Sequence, residues 1–174
     1  MRHTMKMTLA ALASLALLPT AASAVTVVAP HPGTVPSLTY TASGAFHGAV
    51  DIVSGAGCNY WNVQSVVEGT FYWNVTLNTT GSVCNGSGSG TQNEAKHGFG
   101  DGLVLRIWHF NKTADSYDKT CDRCSLGNEG GTGNVTGPLT HVQVDKNGTK
   151  DTSWYSGYTT KGEYVDHGEI LGVF

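Results

Sequence analysis

The sequence predicts an all-β protein, a sandwich or a small barrel. Three observations lead there. Beyond the first residues, no long stretch carries the apolar spacing of a helix. Short runs rich in branched and aromatic residues recur instead, separated by Gly, Asn, Ser and Thr. One of these runs ends in Asn147-Gly148, a strong two-residue hairpin signal.

The elements follow in chain order. "MRHTMK" is a short basic start, "MTLAALASLALL" is apolar, and "PTAASA" ends in small residues. That order is the pattern of a secretory signal peptide spanning residues 1–24, with cleavage expected after Ala24. The apolar run is too short for a good membrane span, and nothing later approaches its length. The remaining chain, 25–174, is long enough for one domain with its own core. A soluble, secreted monomer with no membrane partner is therefore expected.

From Val25 to Thr39 the chain carries prolines and reads as extended. "NVQSVVEGTFYWNVTL" alternates well enough for two strands around Glu68-Gly69. "NTTGSVCNGSGSGTQNEAKHGFGDG" reads as one long loop, residues 78–102. "GLVLRIWHF" is a strong strand. "NKTADSYDKTCDRCSLGNEGGTG", residues 111–133, reads as a second long loop around a cysteine pair. "LTHVQVDKNGT" alternates up to its hairpin turn, and "GEILGVF" supplies a closing strand. Asp166 and Glu169, on either side of His167, read as a solvated turn before that strand. Long loops in a compact domain tend to be functional.

Charge and cysteines narrow the function classes. Ten Lys and Arg fall to eight once Arg2 and Lys6 leave with the leader, against 13 Asp and Glu, for a net charge of about −5. No basic cluster appears, which argues against a nucleic-acid partner. Four cysteines in an exported chain favour disulfides. Cys58 with Cys84 and Cys121 with Cys124 is the expected pairing, although three are possible. A four-cysteine zinc site competes weakly, since only "CDRC" is a close pair. Six Asn-x-Ser/Thr sequons, at Asn74, Asn78, Asn85, Asn111, Asn134 and Asn147, are expected on surface loops where glycans attach.

The histidines carry the chemistry. His47 and Asp51 stand four residues apart in "SGAFHGAVDIVSG". On a straight strand four steps cover roughly 13 Å, too far for two ligands of one ion. Gly48 and Val50 disfavour a helix. The pair therefore needs a bend, which Gly48 can supply, with His47 at a loop end and Asp51 on the following strand. His141 shares one strand face with Leu139 and Gln143, after a turn at Thr136, Gly137 and Pro138. His109 ends a strongly apolar strand and is placed to face a groove. Singly, each of these is more simply a packing or surface residue.

Together these pieces resemble the lysostaphin-like (LytM-type) zinc endopeptidases, which cut peptide bridges in bacterial cell walls. "HGAVDI" looks like the first zinc motif of that family, His-x-x-x-Asp. "IWHF" looks like the segment carrying its first catalytic His, with Ile107 where the family often has Tyr. "LGNEGGTGNVTGPLTHVQVDKNG" looks like its Gly-rich approach and final His-x-His strand, and "VVEGTF" like the Gly turn after the first motif. The resemblance covers about residues 46–148. It implies an antiparallel, sandwich-like core with long loops, and one Zn2+ held by His47, Asp51 and His141. A water would take the fourth position, as an open catalytic site requires. His109 would be the general base or would steady the developing oxyanion.

Leu139 departs from that pattern. It replaces the first His of the final motif, and leucine neither moves a proton nor donates to an oxyanion. Losing one general acid–base group costs about 10²–10⁴ in rate. His97 and His167, each on a loop in this reading, are the candidates to take its place. Three functions are thus in play. One is a zinc peptidase acting on peptidoglycan cross-bridges or glycine-rich peptides. Another is a non-catalytic wall- or peptide-binding module on the same scaffold. The third is a metal-free β-domain whose aromatics (Trp61, Trp73, Trp108, Trp154, Tyr60 and Tyr155) form a sugar platform.

Overall fold

The computed structural model describes residues 24–64, 66, 71–72, 74–76, 84, 92–112, 120–121 and 123–174. Among them there is no helix, and the strands pair antiparallel throughout. In chain order the strands are β1 (Thr26–Val28), β2 (Gly33–Thr34), β3 (Val50–Ile52), β4 (Asn62–Gln64) and β5 (Phe71–Tyr72). Next come β6 (Asn74–Thr76), β7 (Glu94–Gly100), β8 (Leu103–Trp108), β9 (Asn111–Lys112) and β10 (Thr120–Cys121). The last five are β11 (Ser125–Asn128), β12 (Thr140–Lys146), β13 (Thr149–Asp151), β14 (Tyr164–Val165) and β15 (Ile170–Val173). The protein is all-β.

Its largest sheet runs β13-β12-β8-β7-β6, with β3 beside the other end of β12. The alternation of β-strand side chains gives this sheet two different faces. One face carries Ala95, Leu105, Ile107, Val142, Val144, Val50 and Ile52, all fully buried. These belong to one apolar cluster with Val27, Val63, Leu126, Trp154 and Leu171 from the smaller sheets and loops, a sandwich-like layering. The other face carries Arg106 and Trp108 of β8, His141, Gln143 and Asp145 of β12, and Asp51 of β3. All six positions of β12 from Thr140 to Asp145 are buried, so its polar residues need partners inside the protein.

Smaller sheets complete the fold: β4-β11-β9, and the pairs β1-β15, β5-β10 and β2-β14. The β12–β13 hairpin turns at Asn147 and Gly148, both at positive φ (52° and 78°), as the Asn-Gly signal requires. Asp166 and Glu169 are exposed, in the turn expected there; the Asp166 amide donates to a Glu169 carboxylate oxygen at 2.8 Å.

Several expectations need correction. The segment 78–102 is not a single loop, because β7 lies within it and pairs with β8 along its length. Its "EAKHGFG" hides a strand behind a histidine and glycines, and cross-strand pairing overrides that weak local preference. Likewise 111–133 contains β9, β10 and β11. The run around Glu68-Gly69 supplies β4, β5 and β6, which pair with three different partners rather than with one another. The expected Glu68-Gly69 turn lies outside the described residues, as do residues 1–23, where a leader was expected.

Cys58 and Cys84 form the expected disulfide, which removes the four-cysteine zinc site. Cys124 is also disulfide-bonded, while the side chain of Cys121 lies outside the described residues. Asn134 and Asn147 are exposed sequons. Asn111 is not: it is buried, and its amide donates to Asn59 Oδ1 (2.6 Å) and Cys58 Sγ (3.2 Å). The side chains of Asn74, Asn78 and Asn85 lie outside the described residues.

Candidate metal centre

Asp51 of β3 and His141 of β12 are direct cross-strand partners. Such pairs project side by side from one sheet face, so register alone brings their tips together. His141 Nδ1 lies 2.9 Å from Asp51 Oδ1. His47 precedes β3, and the chain bends between them at Gly48, whose φ is +62°. A side chain there would be strained and would press on the Phe46 ring (2.8 Å) and the Lys150 stem (3.1 Å). Thr39 O accepts the amides of His47 (2.8 Å) and Gly48 (3.2 Å), and Lys150 Nζ donates to His47 O (2.5 Å). The bend places His47 Nε2 3.2 Å from Asp51 Oδ2 and 3.1 Å from His141 Nδ1. The spacing His47 to Asp51 thus works through a bend at Gly48, as the sequence reading required. The ligand atoms of all three residues fall within 4.8 Å of one another.

The outward nitrogens decide what faces inward. His47 Nδ1 donates to Leu38 O at 2.7 Å. His141 Nε2 donates to Gln143 Oε1 at 3.1 Å. The inner atoms are then His47 Nε2, His141 Nδ1 and the two Asp51 oxygens, all acceptors. Lone pairs at 2.9–3.2 Å repel unless a proton or a metal ion lies among them. The edge of a tetrahedral shell with bonds of roughly 2.0–2.1 Å is about 3.3 Å, so this donor set fits zinc. The electrostatics agree. Burial alone would lower the basicity of His47, but the Asp51 carboxylate outweighs it and raises its pKa. Burial would raise Asp51, yet His141 and His47 hold it well below the usual carboxylate range.

A ring of contacts supports His141. The Gln143 amide donates to Asp145 Oδ1, which orients its oxygen toward His141. Arg106 Nε donates to Asp145 Oδ2 (2.5 Å), and its Nη1 to Glu94 Oε1. The same Glu94 oxygen accepts Trp108 Nε1 at 2.9 Å. Trp108 then stacks on His141, with centroids 4.6 Å apart and planes 6° from parallel, closing the ring. Gln143, Asp145, Arg106 and Glu94 were not assigned roles from the sequence, and Trp108 was considered there only as part of a sugar platform. Polar residues alternating along "HVQVD" on a strand buried on both faces were the available signal.

His109 directly follows β8 and is buried, with φ +75°. A positive φ in a non-glycine residue is costly and tends to occur at functional positions. It swings the ring to the cleft beside His141, with centroids 5.8 Å apart. Its Nδ1 donates to Thr132 O (2.7 Å), and Thr132 N donates back to His109 O (3.2 Å). This exchange is possible because Gly130 packs bare backbone against the chain after β8. A Cβ there would lie 2.6 Å from Asn111 N and 2.7 Å from His109 O. Burial, reinforced by the neighbouring His141 charge, pushes His109 down to about 4. It is neutral near pH 7, with Nε2 left as an acceptor.

The three proposed ligands, His109, Leu139 and Lys150 all line one cleft of about 380 Å³. Leu139 lies on the His141 face of the chain, bridged to Gly130. The two alternative histidines lie elsewhere. His97 is fully buried on the opposite face of the sheet, with Ala95 and Leu105. His167 is exposed and donates to Gln64 Oε1. Nor do the aromatics form one platform: Trp154 and Tyr155 are buried in the core, and Trp108 stacks on His141. The Trp73 side chain lies outside the described residues.

No family model matches this chain, and no curated protein matches it. Among solved structures it is similar to a zinc-containing peptidase from Vibrio cholerae. The TM-score is 0.43 at 17% identity, over 72% of this chain and 38% of that one. The chain thus spans well under half the length of that peptidase. At this distance the site's own geometry carries the reading that follows.

Proposed function

We propose that the protein is a secreted zinc metallopeptidase of the lysostaphin-like kind, hydrolysing the peptide cross-bridges of peptidoglycan as a monomer. One observation carries this reading. His47 Nε2, His141 Nδ1 and the Asp51 carboxylate converge as acceptors, with both outward nitrogens tied down. His47, Asp51 and His141 would hold the ion. Once bound there, zinc supplies Lewis acidity toward a carbonyl oxygen and a water molecule. One carboxylate among three ligands leaves the site net positive.

This chain's residues account for the rest. His109 Nε2 is unprotonated near neutrality and faces the cleft, so it takes a proton from the attacking water. Thr132 O keeps its Nδ1 engaged and the ring oriented. Once protonated, His109 can return that proton to the leaving amine. Leu139 contributes only shape, so a single acid–base group serves both steps and turnover is slow. The test pairs metal content with hydrolysis of pentaglycine and isolated peptidoglycan, with and without a chelator. About one zinc per chain and chelator-sensitive cleavage are expected. His141→Ala should lose both, and full activity in that variant would refute the ligand assignment.

Leu139 in the cleft favours one second reading, a module that holds wall peptides without cutting them. Leu139→His decides between the two. Cleavage by the variant alone makes the natural protein a binder, whereas cleavage by the wild type removes that reading.

A further inference from the structure

A second cavity, of about 490 Å³, shares no lining residue with the candidate metal centre among the described residues. Pro30 and Pro32, between β1 and β2, give it a rigid side. Trp61, Asn62 and Gln64 line it from β4 and the residue before it, and Asp166 and His167 from the β14–β15 turn. Its volume falls in the range of small-ligand sites. Trp61 is half-buried in its wall. Tyr60, 64% exposed, packs edge-on against Trp61 with centroids 5.1 Å apart. The proposed peptidase chemistry uses none of these residues.

The polar groups narrow the ligand class. His167 Nε2 donates to Gln64 Oε1 at 3.1 Å, which leaves the Gln64 amide as a donor and His167 Nδ1 as an acceptor. Ser125 Oγ donates to Asn62 Oδ1 at 2.5 Å, leaving the Asn62 amide as a donor. Asp166 adds a carboxylate that only accepts. His31 is already satisfied, by Pro32 O (2.9 Å) and Thr140 Oγ1 (2.8 Å), and serves as wall. A phosphate wants donors and positive charge, but among the described residues neither Lys nor Arg lines this cavity. A metal ion wants acceptors alone, and among the described residues the only cluster that meets that need is His47, Asp51 and His141. A wholly apolar ligand would leave the polar tips unpaired on binding. Mixed donors and acceptors beside an indole suit a ligand with hydroxyls around an apolar ring face.

We propose that this cavity binds a neutral pyranose saccharide, with one sugar against Trp61 and its hydroxyls shared among Asn62, Gln64, Asp166 and His167. The inference does not depend on zinc. Its test therefore uses calorimetric titration of the whole mature chain, with and without the metal. The probes are the N-acetylglucosamine trimer and cellotriose, with triglycine as the peptide control. Saturable binding of at least one trimer is expected, unchanged by a chelator. Trp61→Ala and Gln64→Ala should each weaken it by about tenfold or more. Gln64→Ala provides the reading if the tryptophan variant fails to fold. No binding of either trimer up to about 10 mM overturns the proposal. So does saccharide binding that survives both substitutions, or a cavity that takes triglycine and neither sugar. Loss of hydrolysis with saccharide binding intact would count against the peptidase reading alone.

Discussion

Gln143 touches no proposed reacting group, yet it determines which nitrogen of His141 faces the metal centre. Its oxygen accepts His141 Nε2–H, and it keeps that orientation because its amide is tied to Asp145. Without that acceptor the imidazole can carry its proton on Nδ1, the atom meant for the ion. Outer partners of metal-bound histidines typically change affinity by about 10–100-fold. We therefore expect Gln143→Leu to weaken zinc binding by about that factor in competition with a chromophoric chelator. Gln143→Glu retains an acceptor for His141 and should restore much of the affinity, though it faces Asp145 with like charge. Nitrogen-15 spectra of the metal-free protein provide a second readout. His141 should be protonated on Nε2 in the wild type and in mixed tautomers in Gln143→Leu. A loss of affinity with the tautomer unchanged would mean that Gln143 acts only through packing.

At the scale of elements, the proposed ligands were legible and their supports were not. His47, Asp51 and His141 could be picked out because a bend at Gly48 and an alternating strand are local patterns. Glu94 could not, because its strand looked like loop and is held by cross-strand pairing with β8 and β6. Arg106, Gln143 and Asp145 meet by cross-strand register, which no single segment encodes. Leu38 O and Thr132 O are backbone acceptors and leave no trace in side-chain chemistry. The glycine-rich approach to β12 is an intermediate case: its tightness was visible, but its purpose was not. Gly130 lets that segment reach the His109 backbone. Two of the three atoms a Cβ would meet, Asn111 N and His109 O, are main chain and cannot swing aside; the third is Asn111 Oδ1. Gly130→Ala should therefore destabilise the fold by about 1–3 kcal/mol and displace His109, lowering kcat more than zinc affinity. Gly137, a few residues on, has nothing within 4 Å of a built Cβ and lies outside the positive-φ set. Gly137→Ala should stay within about 0.5 kcal/mol of wild type. Urea titrations of both variants test this, and equal effects would show that the close approach at Gly130 does not matter.

At the scale of the whole molecule, the candidate metal centre joins segments that are far apart in sequence. A loop from the first third of the chain meets a strand from the last third, and the ends pair through β1 and β15. An ion held between His47 and His141 therefore closes a long stretch of chain, and it should stabilise the global fold by mass action. The size of that effect depends on pH, because a proton competes for the same place. In metal-free protein the folded pKa of His47 is raised. Its contribution to stability is fully present below the unfolded value of about 6.5 and is lost as pH rises through the higher folded value. His109 works the other way: its depressed pKa gives stability that is lost as pH falls from about 6.5 toward about 4. To first order that loss is common to both forms and cancels in their difference. Zinc displaces the His47 proton, so its advantage must grow as that proton leaves. The gap in Tm between zinc-loaded and chelated protein should thus widen from pH 6 to pH 8. At 100 times the dissociation constant, zinc contributes about 2.7 kcal/mol. Calorimetric scans at fixed zinc excess measure the gap directly. A gap that is flat or narrows toward alkaline pH would mean that no proton on His47 competes with the ion, and the convergent-acceptor account of this site would fail.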